Sequence, residues 1–287
     1  MAALLIGAAG LGLWQLNRPL PQAAELIARD VPHGATLVDA RGPLAYRRGH
    51  LPAARRLWAR DLISFGETAG GLKTLEELEQ QVKSLGLEPG GLVVVYDDGD
   101  GQEAALVLLV LRSFGIDARL LQGGVDGWLA GGGELSDGPE PQAEREAPPS
   151  EFDRRLIVSL DEAQVHVAEN EVAPVDVRER AAYRQGHLAG AVNLPGIEIM
   201  PGGETPRWSA LNRALGPVRI TGDTHPLVYG ADAAQAATGW LALAAYGVEH
   251  IHVLTDPYPS LVAEGFEVSE VEVPAATSTR TSSVCWR

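Results

Sequence analysis

Cysteine is almost absent from this sequence: among 287 residues there is one, Cys285, close to the C-terminus. A single thiol forms no internal disulfide and no multi-thiolate metal site. Basic residues are scarce too. Lys and Arg number 23 against 38 Asp and Glu, a formal net charge of −15. Nucleic acid attracts clustered Lys and Arg to its phosphates, so this balance argues against it as a partner. Long apolar runs are missing apart from residues 2–16, AALLIGAAGLGLWQL, where Gln15 is the one polar residue. Fifteen residues are short for a span of ~17–25. No basic segment precedes them and no small-x-small cleavage site follows, as a signal peptide would require. Trp14 stands where an interfacial aromatic belongs. Residues 1–18 therefore read first as an uncleaved membrane anchor. A signal segment and a helix docked on the soluble part are the alternatives.

What the sequence does contain is a repeat. Thr36–Ala54, TLVDARGPLAYRRGHLPAA, aligns without a gap with Ala173–Ala191, APVDVRERAAYRQGHLAGA, at an offset of 137 residues. Asp39, Arg41, Tyr46, Gly49, His50 and Leu51 recur as Asp176, Arg178, Tyr183, Gly186, His187 and Leu188. Each copy is followed by a β-branched run ending in Tyr, a turn of small residues and an Ala/Leu-rich stretch that stops at Gly. The runs are LVVVYDDGDGQ from Leu92 and PLVYGADAAQ from Pro226. The expected helices are Glu103–Phe114 and Ala236–Tyr246, and the next strands Ala118–Leu121 and His250–Leu254. Strands alternating with helices predict two α/β domains, each a mostly parallel sheet with helices on both faces. We place domain one at 22–134, a Pro-rich acidic linker at 135–150, domain two at 151–273 and a Ser/Thr-rich tail at 274–287.

These motifs resemble the tandem-domain form of the rhodanese (thiosulfate sulfurtransferase) family over about residues 22–270. The carrying segments are VDARGPLAYRRGHLPAA, VVVYDDGDG and LLQGGVDGWLAGG, then VDVRERAAYRQGHLAGAVNLP and LVYGADAAQAATGW. The resemblance implies a nucleophilic cysteine just after the strand that ends in Tyr, in a loop whose backbone N–H groups cradle an anion at a helix N-terminus. The matching positions here are Asp97 and Gly230. Neither can carry a persulfide. Asp97 with Asp98, Gly99 and Asp100 fits the inactive first domain of tandem members. In the second domain Asp232 adds negative charge, and Asp256-Pro257-Tyr258-Pro259 replaces the Gly123-Gly124-x3-Trp128 element of the first.

Other residues receive structural readings. His50 and His187 lie in a repeated turn and read as hydrogen-bonding residues. Asp39 with Arg41 and Asp176 with Arg178 read as ion pairs clamping loops. Arg47, Arg48, Arg55, Arg56 and Arg60 read as a solvated basic face. Asp97 to Asp100 lack the distal Glu of a calcium loop, and Ser159, Asp161 and His166 have no triad spacing. No catalytic, cofactor or metal site is assigned.

Three functional readings follow. The first is a non-enzymatic, membrane-tethered scaffold or accessory subunit. It would bind a membrane protein or complex, touch the bilayer through residues 2–16 and hold its domains on the periplasmic or extracytoplasmic side. The second is a sulfurtransferase or sulfur carrier acting through Cys285. The third is a ligand-binding sensor using the drifted pocket near Gly230.

Overall fold

The computed structural model describes residues 26–65, 70–139, 141, 152–200, 209, 211 and 225–270. The expected anchor at 2–16, most of the Pro-rich segment and the tail with Cys285 lie outside the described residues.

The first domain runs β1 (Ile27–Ala28), β2 (Thr36–Asp39), α1 (Pro43–Arg48), β3 (Arg55–Arg56), a 3-10 turn (Ala59–Leu62), α2 (Leu75–Ser84), β4 (Val93–Tyr96), α3 (Gln102–Ser113), β5 (Ala118–Leu121) and α4 (Gly124–Ala130). Its sheet is parallel in the order β1-β5-β4-β2-β3. The second domain runs α5 (Leu160–Ala168), β6 (Val172–Asp176), α6 (Arg180–Gln185), β7 (His187–Leu188), β8 (Val192–Asn193), α7 (Gly196–Ile199), β9 (His225–Tyr229), α8 (Ala233–Tyr246), β10 (His252–Leu254), α9 (Tyr258–Ala263) and β11 (Val268–Ser269). Its main sheet is parallel in the order β10-β9-β6-β8. Ile157 bridges Val253 on the outside of β10, where β1 lies in the first domain. The expected two-domain parallel α/β architecture is therefore the observed one.

Two differences in boundary have local causes. Helix α8 begins at Ala233 because the Asp232 carboxylate accepts the Gln235 N–H at 2.9 Å and caps the first turn. Ser136, at the start of the Pro-rich segment, exchanges backbone hydrogen bonds with His50 at 2.8 and 2.9 Å. The first domain thus holds the opening of that segment.

The domains meet through α3 and α8. In α3 every residue from Ala104 to Leu111 is buried. A helix apolar on all sides has no face for water, and this one lies between its own sheet and α8. Helix α8 answers with small residues. A Cβ at Gly239 would collide with the Val177 and Val228 side chains, so the helix sits close on β9. Residues from both domains form one continuous core cluster, including Val95, Leu108, Leu111, Val228 and Leu241.

The repeated motif builds the same latch twice. Asp39, at the end of β2, accepts from the Arg41 backbone N–H and Nε at 2.9 Å and from its terminal nitrogen at 2.7 Å. The same terminal nitrogen donates to the Gly49 carbonyl at 2.7 Å. In the second domain Arg178 donates to Asp176 at 2.6–3.1 Å and to the Gly186 carbonyl at 2.6 Å. His50 Nδ1 lies 3.0 Å from the Tyr46 carbonyl and stacks on that ring at 3.9 Å; His187 repeats this on Tyr183 at 2.9 and 3.8 Å. The histidines and ion pairs therefore hold the structural places read for them. Both aspartates are fully buried. Burial opposes the Arg41 charge, but its hydrogen bonds to Asp39 and their opposite charges outweigh that and raise its pKa further. Replacing Asp176 by Asn leaves a buried guanidinium without its counter-charge, and breaking such a pair costs ~3–5 kcal/mol. We expect Asp176→Asn to lower unfolding stability by that order, measured by urea denaturation; an unchanged midpoint would mean that the pair is dispensable.

Candidate functional site

Asp97 and Gly230 each lie one residue beyond a strand inside the sheet of their domain, β4 and β9.

After β4, the Asp97 side chain turns into its own loop. One carboxylate oxygen accepts the N–H groups of Gly99 at 2.9 Å and Gly101 at 3.1 Å; the other accepts that of Ala104, in the first turn of α3, at 3.1 Å. Asp97 is 3% exposed. Burial raises its pKa to about 6, against the lowering effect of the three N–H donors. The loop is gripped from outside, because Val125 and Asp126 donate their N–H groups to the carbonyls of Asp97 and Asp98 at 2.9 and 3.1 Å. This explains Gly124: a Cβ there would run into the Asp97 carbonyl oxygen.

After β9, the loop closes differently. Ala231 donates its N–H to the Gln235 side-chain oxygen at 3.1 Å, and Ala236 to the Asp232 carbonyl at 3.1 Å. Ala233 donates to the Gly70 carbonyl at 3.2 Å, so a loop of the first domain rests on the N-terminus of α8. A Cβ built on Gly230 would lie 2.8 Å from the Gln235 Cβ and 3.0 Å from the Ala236 nitrogen. The space for a side chain at 230 is filled. The residues that replace the first domain's Gly-Gly element complete the cover. Tyr258 donates its N–H to the Gly230 carbonyl at 3.2 Å, and its ring lies 3.5 Å from the Arg178 guanidinium carbon.

Two cavities lie near these loops. One, of ≈ 350 Å³, opens between the domains and is lined by Asp100, Gln102, Glu179, Met200, Gln235 and Thr238. It borders Gln235 and does not reach Gly230. The other, of ≈ 500 Å³, lies in the first domain beside Arg48, Trp58, Arg60, Asp98 and Glu103. The basic run from Arg47 to Arg60 is thereby divided. Arg55 caps the carbonyls of Leu85 and Gly86 beyond α2, Arg56 pairs with Asp61 at 3.8 Å, and Arg48 and Arg60 face the second cavity. Cys285 lies outside the described residues. Among those residues no group of three or more His, Asp or Glu is placed to hold a metal ion.

The sequence reading did not single out Glu103 or Gln235. Glu103 shares its neighbourhood with three carboxylates separated from it by a turn. Burial, then the charges of Asp97, Asp100 and Asp98, raise its pKa to about 7 against a hydrogen bond from Trp58. A raised carboxyl pKa means that the folded state resists ionisation. Its contribution to stability is complete below the unfolded pKa and is lost as pH rises through the folded value, here from about 4.5 to about 7. Glu103→Gln removes that loss. We expect its thermal midpoint to equal the wild type's near pH ~4 and exceed it near pH ~8. A difference constant across that range would contradict the assignment.

Both halves match the family model described as the rhodanese-like domain, over residues 21–131 and 159–264. The 3-mercaptopyruvate sulfurtransferase of Escherichia coli K12 is 25% identical over 222 residues, covering 72% of this chain and 78% of the relative. The sulfur carrier protein TtuD of Thermus thermophilus is 28% identical over 222 residues, with 70% and 77% covered. The thiosulfate sulfurtransferase of Corynebacterium glutamicum is 28% identical over 250 residues, with 77% and 79% covered. Among solved structures, the Escherichia coli 3-mercaptopyruvate sulfotransferase SseA aligns with a TM-score of 0.67 at 22% identity, covering 79% of this chain and 93% of that one. The anaerobic ergothioneine biosynthesis enzyme of Chlorobium limicola aligns with a TM-score of 0.75 at 18% identity, covering 89% and 72%; these two likenesses speak to the fold alone. With two matched domains on two repeats of one latch, the chain belongs to the rhodanese-like family in its tandem form and is a homologue of its sulfurtransferases.

Proposed function

We propose that this protein works by binding a partner rather than by persulfide chemistry at either standard loop. The observation that carries this reading is the second-domain loop. Position 230 has no side chain, and Gln235 occupies the space that one would need. Asp97 supports it from the other half, because its carboxylate takes the N–H groups that would otherwise face an anion.

The relatives favour a second reading, since those compared are sulfurtransferases or a sulfur carrier. In this chain such chemistry needs Cys285, the single thiol. Its thiolate would attack the outer sulfur of thiosulfate. An S–S bond to the cysteine forms, the bond to the sulfite sulfur breaks, and sulfite leaves with the electron pair. One experiment separates the two. On the first reading, the full chain gives no thiosulfate-to-cyanide transfer above background, and Cys285→Ser changes nothing. Gly230→Cys stays inactive because its side chain meets Gln235. Turnover abolished by Cys285→Ser establishes the second reading. Turnover that survives that substitution defeats both.

The scaffold reading includes a tether through residues 2–16, and its support is their sequence alone. Among the described residues no helix is long and apolar enough to cross a membrane. We expect the full chain to float with phosphatidylcholine vesicles on a density gradient and a chain lacking residues 2–16 to stay in the dense fractions. Equal behaviour of the two removes the tether.

A further inference from the structure

Of the seven histidines in the chain, four converge at one end of the second-domain sheet. His225 opens β9, His252 opens β10, His250 stands in the turn before β10, and His166 comes from the last turn of α5. Their rings form a connected group. Centroids lie 5.3 Å apart for His166 and His252, 5.2 Å for His225 and His250, and 5.5 Å for His225 and His252. The latch uses His50 and His187; these four take no part in it. They also lie away from the rhodanese loop, because β9 runs from His225 toward Gly230 and spans roughly 17 Å at ~3.3 Å per residue.

Two of the rings carry the outer hydrogen bonds that metal-ligating histidines use. His166 Nδ1 lies 2.8 Å from a Glu171 carboxylate oxygen, and His252 Nδ1 lies 2.6 Å from the Arg155 carbonyl oxygen. Both partners are acceptors, so each ring in its neutral form holds its proton on Nδ1 and its lone pair on Nε2. A carboxylate or carbonyl behind the imidazole fixes tautomer and orientation, as in carboxylate–histidine–metal arrangements. The spacing fits as well. Two imidazoles on one zinc ion at ~2.0–2.1 Å place their ring centres roughly 5 Å apart in tetrahedral geometry. What differs is orientation: the His166 and His252 rings lie within 12° of parallel, and among the described residues no three such groups stand where they hold a metal ion. A metal site here requires His250, which is exposed, and His225, which is half-buried, to turn their rings toward the other two.

We propose that His166, His252, His225 and His250 form a binding site for a divalent transition metal of the zinc type. Imidazole nitrogens suit such ions, and the neighbouring Glu171 acts as a positioning residue through His166. The site stands apart from the sulfur question and from partner binding, and its test is read without either.

The experiment titrates zinc chloride into the tag-free full chain by calorimetry. It uses a Cys285→Ser background so that the thiol cannot contribute. Cobalt(II) absorption reports the geometry. The expected result is saturable one-to-one zinc binding and a cobalt spectrum of four-coordinate character. His166→Asn with His252→Asn should abolish both, and Glu171→Gln should weaken binding by about tenfold or more while leaving all four imidazoles in place. Circular dichroism and thermal midpoint without metal confirm that each variant is folded. If the double variant does not fold, Glu171→Gln and the single His250→Ala decide. No saturable binding by the parent chain overturns the proposal, as does an isotherm unaffected by the histidine substitutions. An unaffected Glu171→Gln isotherm overturns the positioning role and reduces the site to surface chelation.

Discussion

The buried Asp–Arg pair at the end of the strand preceding α1, and its twin before α6, is the interaction on which the rest of each domain depends. A carboxylate and a guanidinium removed from water are costly singly and tolerable only together. Here the aspartate is fully buried in both halves and the arginine nearly so. That constraint does geometric work. Arg41 must satisfy Asp39 and the Gly49 carbonyl at once, which fixes the turn after α1 against the strand end. Arg178 does the same with Asp176 and Gly186. The tyrosine at the end of the central strand closes the arrangement. Tyr96 accepts the Leu51 N–H at 3.0 Å, and Tyr229 accepts the Leu188 N–H at 3.0 Å while donating to Asp176 at 2.9 Å. Burial holds both phenols protonated, with their pKa raised. Each remains a hydrogen-bonding group rather than an acid.

The latch explains how two domains can share a frame and differ at the loop it supports. Its atoms come from the strand ends and the turn after the short helix. The loop after the central strand is free to change without loosening them. In the first domain one further hydrogen bond of the clamp goes outward, from Arg41 to Asp98 at 2.9 Å. In the second the guanidinium lies against Tyr258 instead. Either solution covers an arginine that the frame requires.

The repeat was readable because the latch is local: Asp, Arg, Tyr, Gly, His and Leu fall within one short window, and an offset of 137 residues aligns both copies. The apolar character of α3 on every side likewise signals a helix with no solvent face, which the packing against α8 explains. What the sequence concealed depends on contacts between distant segments. Gly70 reaching Ala233, and Gln235 filling the space beside Gly230, leave no mark in a linear pattern. Ser136 read as linker because its neighbours are prolines and acids, yet it pairs with His50. The four histidines are scattered from 166 to 252, so no ligand spacing could be seen before β9 and β10 were side by side.

The two halves also answer the same electrostatic problem in opposite ways. A loop that turns its N–H groups inward at a helix start needs acceptors, since a buried unpaired donor costs ~1–3 kcal/mol. A bound anion is one answer. Asp97 provides a built-in anion. The three N–H groups that meet its carboxylate do not fully offset burial, and its pKa rises to about 6. The second domain uses three neutral acceptors, an amide oxygen from Gln235 and carbonyl oxygens from Gly70 and Asp232, and leaves its one carboxylate, the half-buried Asp232, on the Gln235 N–H. These neutral acceptors meet the N–H groups of Ala231, Ala233 and Ala236 without burying a charge, but they come from three separate places, one of them in the other domain. An incoming anion at the second loop would therefore have to displace a contact between domains as well as a side chain. The closure of that loop is thus shared between the domains, with Gly70 supplied by the first and Gln235 by the second.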